Sequence, residues 1–310
     1  MRIIRDYQFV RDADRGATTA IGNFDGVHKG HLSVIDLARN AVPEAPLGIV
    51  TFEPHPREYF APDAPSFRLM GAAARATRLE KIGVKRLYEL GFNKGLASLS
   101  PEEFARDVIK EGLGLRHVVV GADFCFGKAR AGTAEDLAVF GQQFGFGVTV
   151  APLMAAGTQT VSSTAIRKAL SAGDPRLAAQ MLGHWHRIEG PVISGEQRGR
   201  ELGYPTANMS IDGLHQPAFG VYAVLVDVLD GPHQGSYHGV ASLGVRPMFG
   251  ENKANLETFV FDFKGDLYGA PLSVALVEHL RGEEKFDSLE ALITQMDADS
   301  AQARAILAAL

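Results

Sequence analysis

Cysteine is nearly absent: Cys125 is the only one in 310 residues. A lone cysteine excludes an intrachain disulfide and any zinc cluster built on thiolates. Cys125 itself reads as a small side chain on a strand. Long hydrophobic runs are missing too, and none approaches the ~20 residues that cross a bilayer as a helix. Nor is there a block of like charge: 31 Lys and Arg stand against 36 Asp and Glu, a net −5. Neutralising a nucleic-acid backbone takes clustered Lys and Arg, so the balance speaks against a dedicated nucleic-acid binder. No internal repeat or low-complexity tract breaks the chain. Met1-Arg2-Ile3-Ile4-Arg5-Asp6 carries charges where a secretory signal needs an apolar run, which predicts a cytoplasmic protein.

What is present is a chain too long for one typical core and about right for two domains. The first half alternates apolar strands with helical stretches. Strands are predicted at 17–21, 47–52, 85–90, 117–121 and 148–150, with helices from Leu32, over Ala72 to Ile82, and from Ser100 toward Gly112. Ser100-Pro101-Glu102-Glu103 has the form of a capping box with proline at the first helical position. Buried strands joined by helical crossovers predict a doubly wound parallel sheet, an α/β domain. Asp174-Pro175 predicts a short helix ending at Gly183. Beyond it the pattern turns to β, with strands predicted at 188–194, 222–229, 237–244, 256–263 and 272–280. That spacing predicts a small antiparallel β-barrel. A C-terminal helix follows, with Asp287 expected in the cap position. The division expected is 1–183 and 184–310. His184 and His186, flanking Trp185, read as linker residues.

Chemistry concentrates in the turn after the first buried strand, Gly22-Asn23-Phe24-Asp25-Gly26-Val27-His28-Lys29-Gly30-His31. A helix N-terminus presents backbone N–H groups and partial positive charge, and so favours phosphate. Gly26 and Gly30 allow close approach to the backbone. His28 and His31, three apart, can face one polyphosphate together, and their N–H groups can stabilise charge on a transferring phosphoryl group. The alternative is an ordinary turn with two solvent-exposed histidines. A later loop, Gly121 to Gly132, has the wrong glycine spacing for a P-loop. In Val161-Ser162-Ser163-Thr164-Ala165-Ile166-Arg167, Ser162 or Ser163 can cap a helix beginning near Thr164. Arg167, one turn in, suits a leaving pyrophosphate, or the segment is a plain cap. In the second half, Gly195, Gly199 and Gly203 with Arg198 suggest a mobile, phosphate-accessible flap. Thr206 and Asn208 offer hard oxygen ligands suited to Mg2+. The competing reading is a hairpin loop with a Pro205 turn.

These motifs, in this order, resemble the bacterial bifunctional riboflavin kinase/FMN adenylyltransferase (FAD synthetase) family. G-N-F-D-G-V-H-K-G-H is similar to its first nucleotidyltransferase signature, S-S-T-x-I-R to its second, and Pro205-Thr206-Ala207-Asn208 to its kinase motif. The resemblance implies a nucleotidyltransferase domain followed by a kinase barrel. The kinase would phosphorylate riboflavin with MgATP to FMN and ADP. The other domain would adenylylate FMN to FAD with release of pyrophosphate. It implies Asp123 and Arg130 at the adenylyltransferase site, Glu257 as general base toward the riboflavin 5′-hydroxyl, and Arg281 in a flavin-contacting segment. The expected state is a monomer or weak homo-oligomer without nucleic-acid or membrane partners. Two stretches depart from the family: Met248 stands where threonine is usual, and Leu69 to Ala74 is unusual. A different small-molecule nucleotidyltransferase is disfavoured by P-T-A-N and Glu257. A non-catalytic flavin binder would need no such set of histidines, Arg167 and Glu257. An RNA-handling relative lacks a basic stripe.

Overall fold

The computed structural model describes residues 1–152, 155–156, 159–194, 203–245 and 254–310. Contacts divide the chain into two compact units. One holds Met1–Pro65 and Ala72–Ser162, the other Ser66–Gly71 and Ser163–Leu310.

The first unit is built on a six-stranded sheet of β1 (Arg2–Ile4), β2 (Thr18–Ile21), β3 (Leu47–Glu53), β4 (Arg86–Gly91), β5 (His117–Gly121) and β8 (Gly147–Ala151). The short pieces β6 (Cys125–Phe126) and β7 (Gly132–Thr133) form a separate ribbon. Every pair in the main sheet is parallel, in the order β1-β4-β3-β2-β5-β8. Both faces are covered, which explains why the strands read as continuous apolar runs. On one face Thr18 donates its hydroxyl to the Ala38 carbonyl of α1 (Lys29–Ala41), 2.7 Å away. On the other, Ile21, Val50, Phe52, Tyr88, Val118 and Val120 share a core with Phe104, Val108 and Leu137. The helix predicted from Ser100 keeps its capping box, with Glu103 answering Ser100. From Phe104 to Gly112 it winds as a π-helix instead, closed by a bond from Leu113 N–H to the Val108 carbonyl. Gly112 permits the wide turn: a Cβ there would lie 2.7 Å from the Asp107 carbonyl.

The second unit is an antiparallel sheet. Its strands are β11 (His186–Pro191), β12 (Thr206–Ser210), β13 (Gly220–Val228), β14 (Gly235–Val245), β15 (Ala254–Val260) and β16 (Pro271–Arg281), ordered β11-β16-β13-β14-β15-β12. Ile193, just beyond β11, bridges back to Asn208 in β12 and curls the sheet toward a barrel. A further ribbon, which belongs to the first unit, pairs β9 (Ala155–Ala156) with β10 (Gln159–Thr160). Inward residues such as Met209, Val224, Leu243, Leu256 and Val274 form the core. The helix Leu289–Leu307 is capped by Ser288, not Asp287; the Ser288 hydroxyl accepts the Ala291 N–H at 3.1 Å.

Two further sequence readings change here. The P-T-A-N segment is a strand rather than a loop, because Thr206 to Ser210 pairs along β15. His186 is no linker residue: it opens β11, is 2% exposed, and its buried Nε2 has no hydrogen-bond partner. The helix at the second motif starts at Ser163, in keeping with the expected start near Thr164.

Candidate active sites

In the first sheet the chain steps from β2 to β3 and β4 on one side, then crosses to β5 and β8 on the other. The order reverses between β2 and β5, and in open parallel sheets ligands bind beyond the carboxyl ends at such a reversal. The turn after β2 carries Gly22 to His31, and the loop after β5 carries Asp123 and Arg130.

The turn is buried from Phe24 to His28, so the solvent-exposed alternative does not hold. Phe24, Gly26 and Val27 all have positive φ, at 51°, 87° and 43°. Glycine takes this region without cost, whereas a β-branched valine rarely does. Such strain persists where the surroundings over-determine it, and it concentrates at functional sites. His28 is the N-cap of α1, and the two histidines cap each other. The His28 Nδ1 accepts the His31 N–H at 3.2 Å, and the His31 Nδ1 accepts the His28 N–H at 3.3 Å. Their rings stack, with centroids 3.6 Å apart and planes 13° off parallel. Gly30 makes room, since a Cβ there would sit 3.1 Å from the His28 ring. Its role is thus the approach of a side chain as much as of a ligand.

An accepting Nδ1 is unprotonated, so the mutual cap puts each ring proton on Nε2. Burial, and then neighbouring His28, hold the His31 pKa well below the ordinary histidine value. The positive end of the α1 dipole acts in the same direction. The pair is therefore two neutral N–H donors, not two cations.

Asp123 and Arg130 are both exposed, and Arg130 has φ 58° in the turn Lys128–Arg130. Ser162 closes the first unit, while Ser163, Thr164 and Arg167 belong to the second. Arg167 donates to the Phe67 carbonyl at 3.2 Å and to the Thr164 hydroxyl at 3.5 Å, with its guanidinium 5.6 Å from the Phe67 ring centroid.

In the second unit, register brings Thr206, Asn208 and Glu257 to one face. Thr206 pairs with Phe259 and Asn208 with Glu257 across β12 and β15, and directly opposed residues point to the same side. Ser242 of β14 opposes Glu257 from the other flank. Asn208 is locked: its Oδ1 accepts from the Asn255 Nδ2 at 2.9 Å, and its Nδ2 donates to the Thr206 carbonyl at 3.3 Å. A cavity of about 340 Å3 is bordered by Pro205, Thr206, Asn208, Lys264, Asp266 and Tyr268 among others; Glu257 is outside its wall. Gly203 takes φ 81° at its approach. Arg281 is held by Asp299, with bonds of 3.1, 3.1 and 2.8 Å, and its guanidinium lies 5.6 Å from the Phe286 ring centroid. Gly195, Arg198, Gly199 and Met248 lie outside the described residues.

Two known families match successive parts of the chain. Residues 10–165 match the FAD synthetase family and residues 182–307 the riboflavin kinase family. A Pseudomonas fluorescens bifunctional riboflavin kinase/FMN adenylyltransferase is 43% identical over 99% of this chain and 98% of its own. The chain belongs to that bifunctional family. An Escherichia coli K12 member is 34% identical over 98% of this chain and 97% of its own, and a Bacillus subtilis member 33% over 98% and 96%. The fold recurs in a crystal structure named as a macrolide-efflux protein from Streptococcus pneumoniae. Its TM-score is 0.85, with 32% identity over 98% of both chains. Among the described residues here, no helix is long and apolar enough to cross a membrane.

Sequence reasoning missed one group in the FAD synthetase unit. Tyr59, Phe60 and Phe92 form an edge-on cluster, with centroids 5.1 to 5.8 Å apart, at the carboxyl ends of β3 and β4. Phe60 is 67% exposed. The one signal in the sequence is the adjacent aromatic pair Tyr59-Phe60, and nothing local says that Phe92 joins it.

Proposed function

We propose that His28 and His31 carry adenylyl transfer from ATP to FMN, and that Thr206, Asn208 and Glu257 carry phosphorylation of riboflavin. The mutual cap of the two histidines supports the first assignment most strongly. It aims two neutral Nε2–H donors from a helix N-terminus, beside a chain reversal, where a polyphosphate is favoured. Transfer at phosphorus depends on positioning and charge stabilisation rather than covalent help. Fixed neutral donors supply that without a proton changing hands. By the family resemblance, Asp123, Arg130, Ser162, Ser163, Thr164 and Arg167 are assigned to the same reaction, with Arg167 serving the leaving pyrophosphate. The exposed face of Phe60 offers a flat apolar surface for the flavin ring.

In the kinase unit the cavity holds the nucleotide, with Arg281 toward the flavin. Thr206 and Asn208 would hold Mg2+. Their hard oxygens fit it, and the buried Asn255 Oδ1 beside them lacks a donor that a hydrated cation could supply. When bound, the metal would neutralise phosphate charge. Glu257, set beside Asn208, accepts the proton of the riboflavin 5′-hydroxyl. The working boundary proposed is near 183/184. Both reactions use ATP, so the reading is of a cytoplasmic enzyme, monomeric or weakly associated.

The test is a pair of assays on one protein. Replacing both histidines by alanine abolishes FAD formation while riboflavin still becomes FMN. Equal loss of both activities in folded protein refutes the assignment.

A further inference from the structure

Behind the histidine turn lies a buried charge cluster that no motif announces. Arg75, on the helix Ala72–Lys81, is 3% exposed. Its Nη2 donates to Glu53 at 3.1 Å and to Glu89 at 3.2 Å. Glu53 ends β3, and Glu89 lies on β4 and also accepts from Arg5 at 3.3 Å. The Arg75 Nη1 donates to the main-chain carbonyl of Asn23 at 3.4 Å. The hydroxyl of Thr51, fully buried on β3, donates to the same carbonyl at 3.3 Å.

Stability alone does not explain this cluster. Taking a guanidinium and carboxylates out of water costs several kcal/mol, and apolar residues of similar volume often serve as well. Arg75 leaves its Nε buried without a partner, so its hydrogen bonding is not complete either. What the cluster does reach is the one carbonyl at the start of the strained Phe24–Val27 segment. A left-handed valine needs surroundings that leave it no alternative. Two donors on the carbonyl that leads into Phe24, one of them fixed by Glu53 and Glu89, provide that.

We propose that Arg75 is a positioning residue for adenylyl transfer. Through the Asn23 carbonyl, and together with Thr51, it fixes the turn that sets where His28 and His31 present their Nε2 protons. The inference rests on the assignment of adenylyl transfer to that turn.

The test uses the full chain with Arg75→Ala, Arg75→Lys, Thr51→Val and His28→Ser. It measures kcat and KM for conversion of FMN to FAD, conversion of riboflavin to FMN in the same preparation, and thermal unfolding. Arg75→Ala is expected to lower the adenylylation kcat about 100-fold, the scale of a 1 Å misplacement. KM for ATP should change less than about threefold, and kinase turnover should stay native. Lysine keeps the charge but not the planar fork, and should recover to within about tenfold of the native rate. Thr51→Val, which removes one hydrogen bond and little else, should cost about three- to tenfold. Native kcat in folded Arg75→Ala, even with a lowered melting temperature, overturns the proposal and leaves a purely structural cluster. So does a loss confined to KM. If Arg75→Ala does not fold, native kcat in both Arg75→Lys and Thr51→Val has the same force. A native rate in His28→Ser refutes the underlying site assignment instead, whereas a crippled His28→Ser beside native Arg75 and Thr51 variants refutes only this inference.

Discussion

His28 has two separable duties, and replacing it by serine or by alanine tells them apart. Its Nδ1 caps α1, and its Nε2–H is the proposed donor to phosphate. Alanine removes both. Serine restores a side-chain oxygen at the N-cap, where it ranks among the preferred residues, but it cannot reach a bound polyphosphate. Loss of the cap costs about 1 kcal/mol, which moves the melting temperature of a unit this size by a few degrees. Loss of one preorganised donor to the transition state costs about 3 kcal/mol, or ~100- to 1000-fold in kcat. The two contributions therefore differ in kind. His28→Ser should melt near the native temperature and lose two to three orders of magnitude (about 3–4 kcal/mol) in FAD formation. His28→Ala should lose a similar rate and also melt a few degrees lower. Steady-state FAD formation from FMN gives the rate, calorimetry gives the melting temperature, and riboflavin phosphorylation in the same sample reports integrity of the second unit. A serine variant with native FAD formation would show that the imidazole serves α1 and nothing else.

Glu257→Gln should lower kinase turnover by about two to four orders of magnitude, since glutamine cannot take the proton, while calorimetric binding of riboflavin and MgATP changes little. FMN supplied directly should still become FAD, and near-native kinase turnover would leave Glu257 a structural strand residue. Burial and the neighbouring His215 and His184 push the His186 pKa down to about 3. The unfolded chain takes up that proton below about pH 6.5 and the folded chain does not, so stability falls as pH drops through the window. The slope is up to about 1.4 kcal/mol per unit, and His186→Leu should flatten it in urea melts at several pH values. The same logic keeps His31 neutral: its ring signals in an NMR titration should show no midpoint near 6.5. Finally, fragments 163–310 and 184–310 should both make FMN from riboflavin. The longer should melt higher, because the helix Pro175–Leu182 contributes Arg176, paired with Glu278, and the Ala218 N–H bonds the Leu170 carbonyl at 2.9 Å. An inactive but folded shorter fragment would place essential kinase residues before His184.

Much of the protein is written locally. Apolar runs with helical crossovers specify a parallel sheet because strands buried on both faces cannot alternate. The Ser100-Pro101-Glu102-Glu103 box and the Asp174-Pro175 start held because capping needs only residues within one turn. The histidine turn was legible for the same reason. The second nucleotidyltransferase motif and Pro205 to Asn208 were legible only as short patterns in the right order. What tertiary structure decided is everything that depends on partners distant in sequence. Thr206 to Ser210 is a strand because β15 pairs with it, and that register alone puts Asn208 beside Glu257. Ser66–Gly71 joins the second unit because the Arg68 carbonyl accepts from the His215 N–H and the Phe67 carbonyl accepts from Arg167. Arg75 reads in sequence as one more charge on an amphipathic helix. Only the fold brings Glu53, Glu89 and the Asn23 carbonyl to its guanidinium, because buried charge is tolerated where geometry supplies partners, and geometry of that kind is not local.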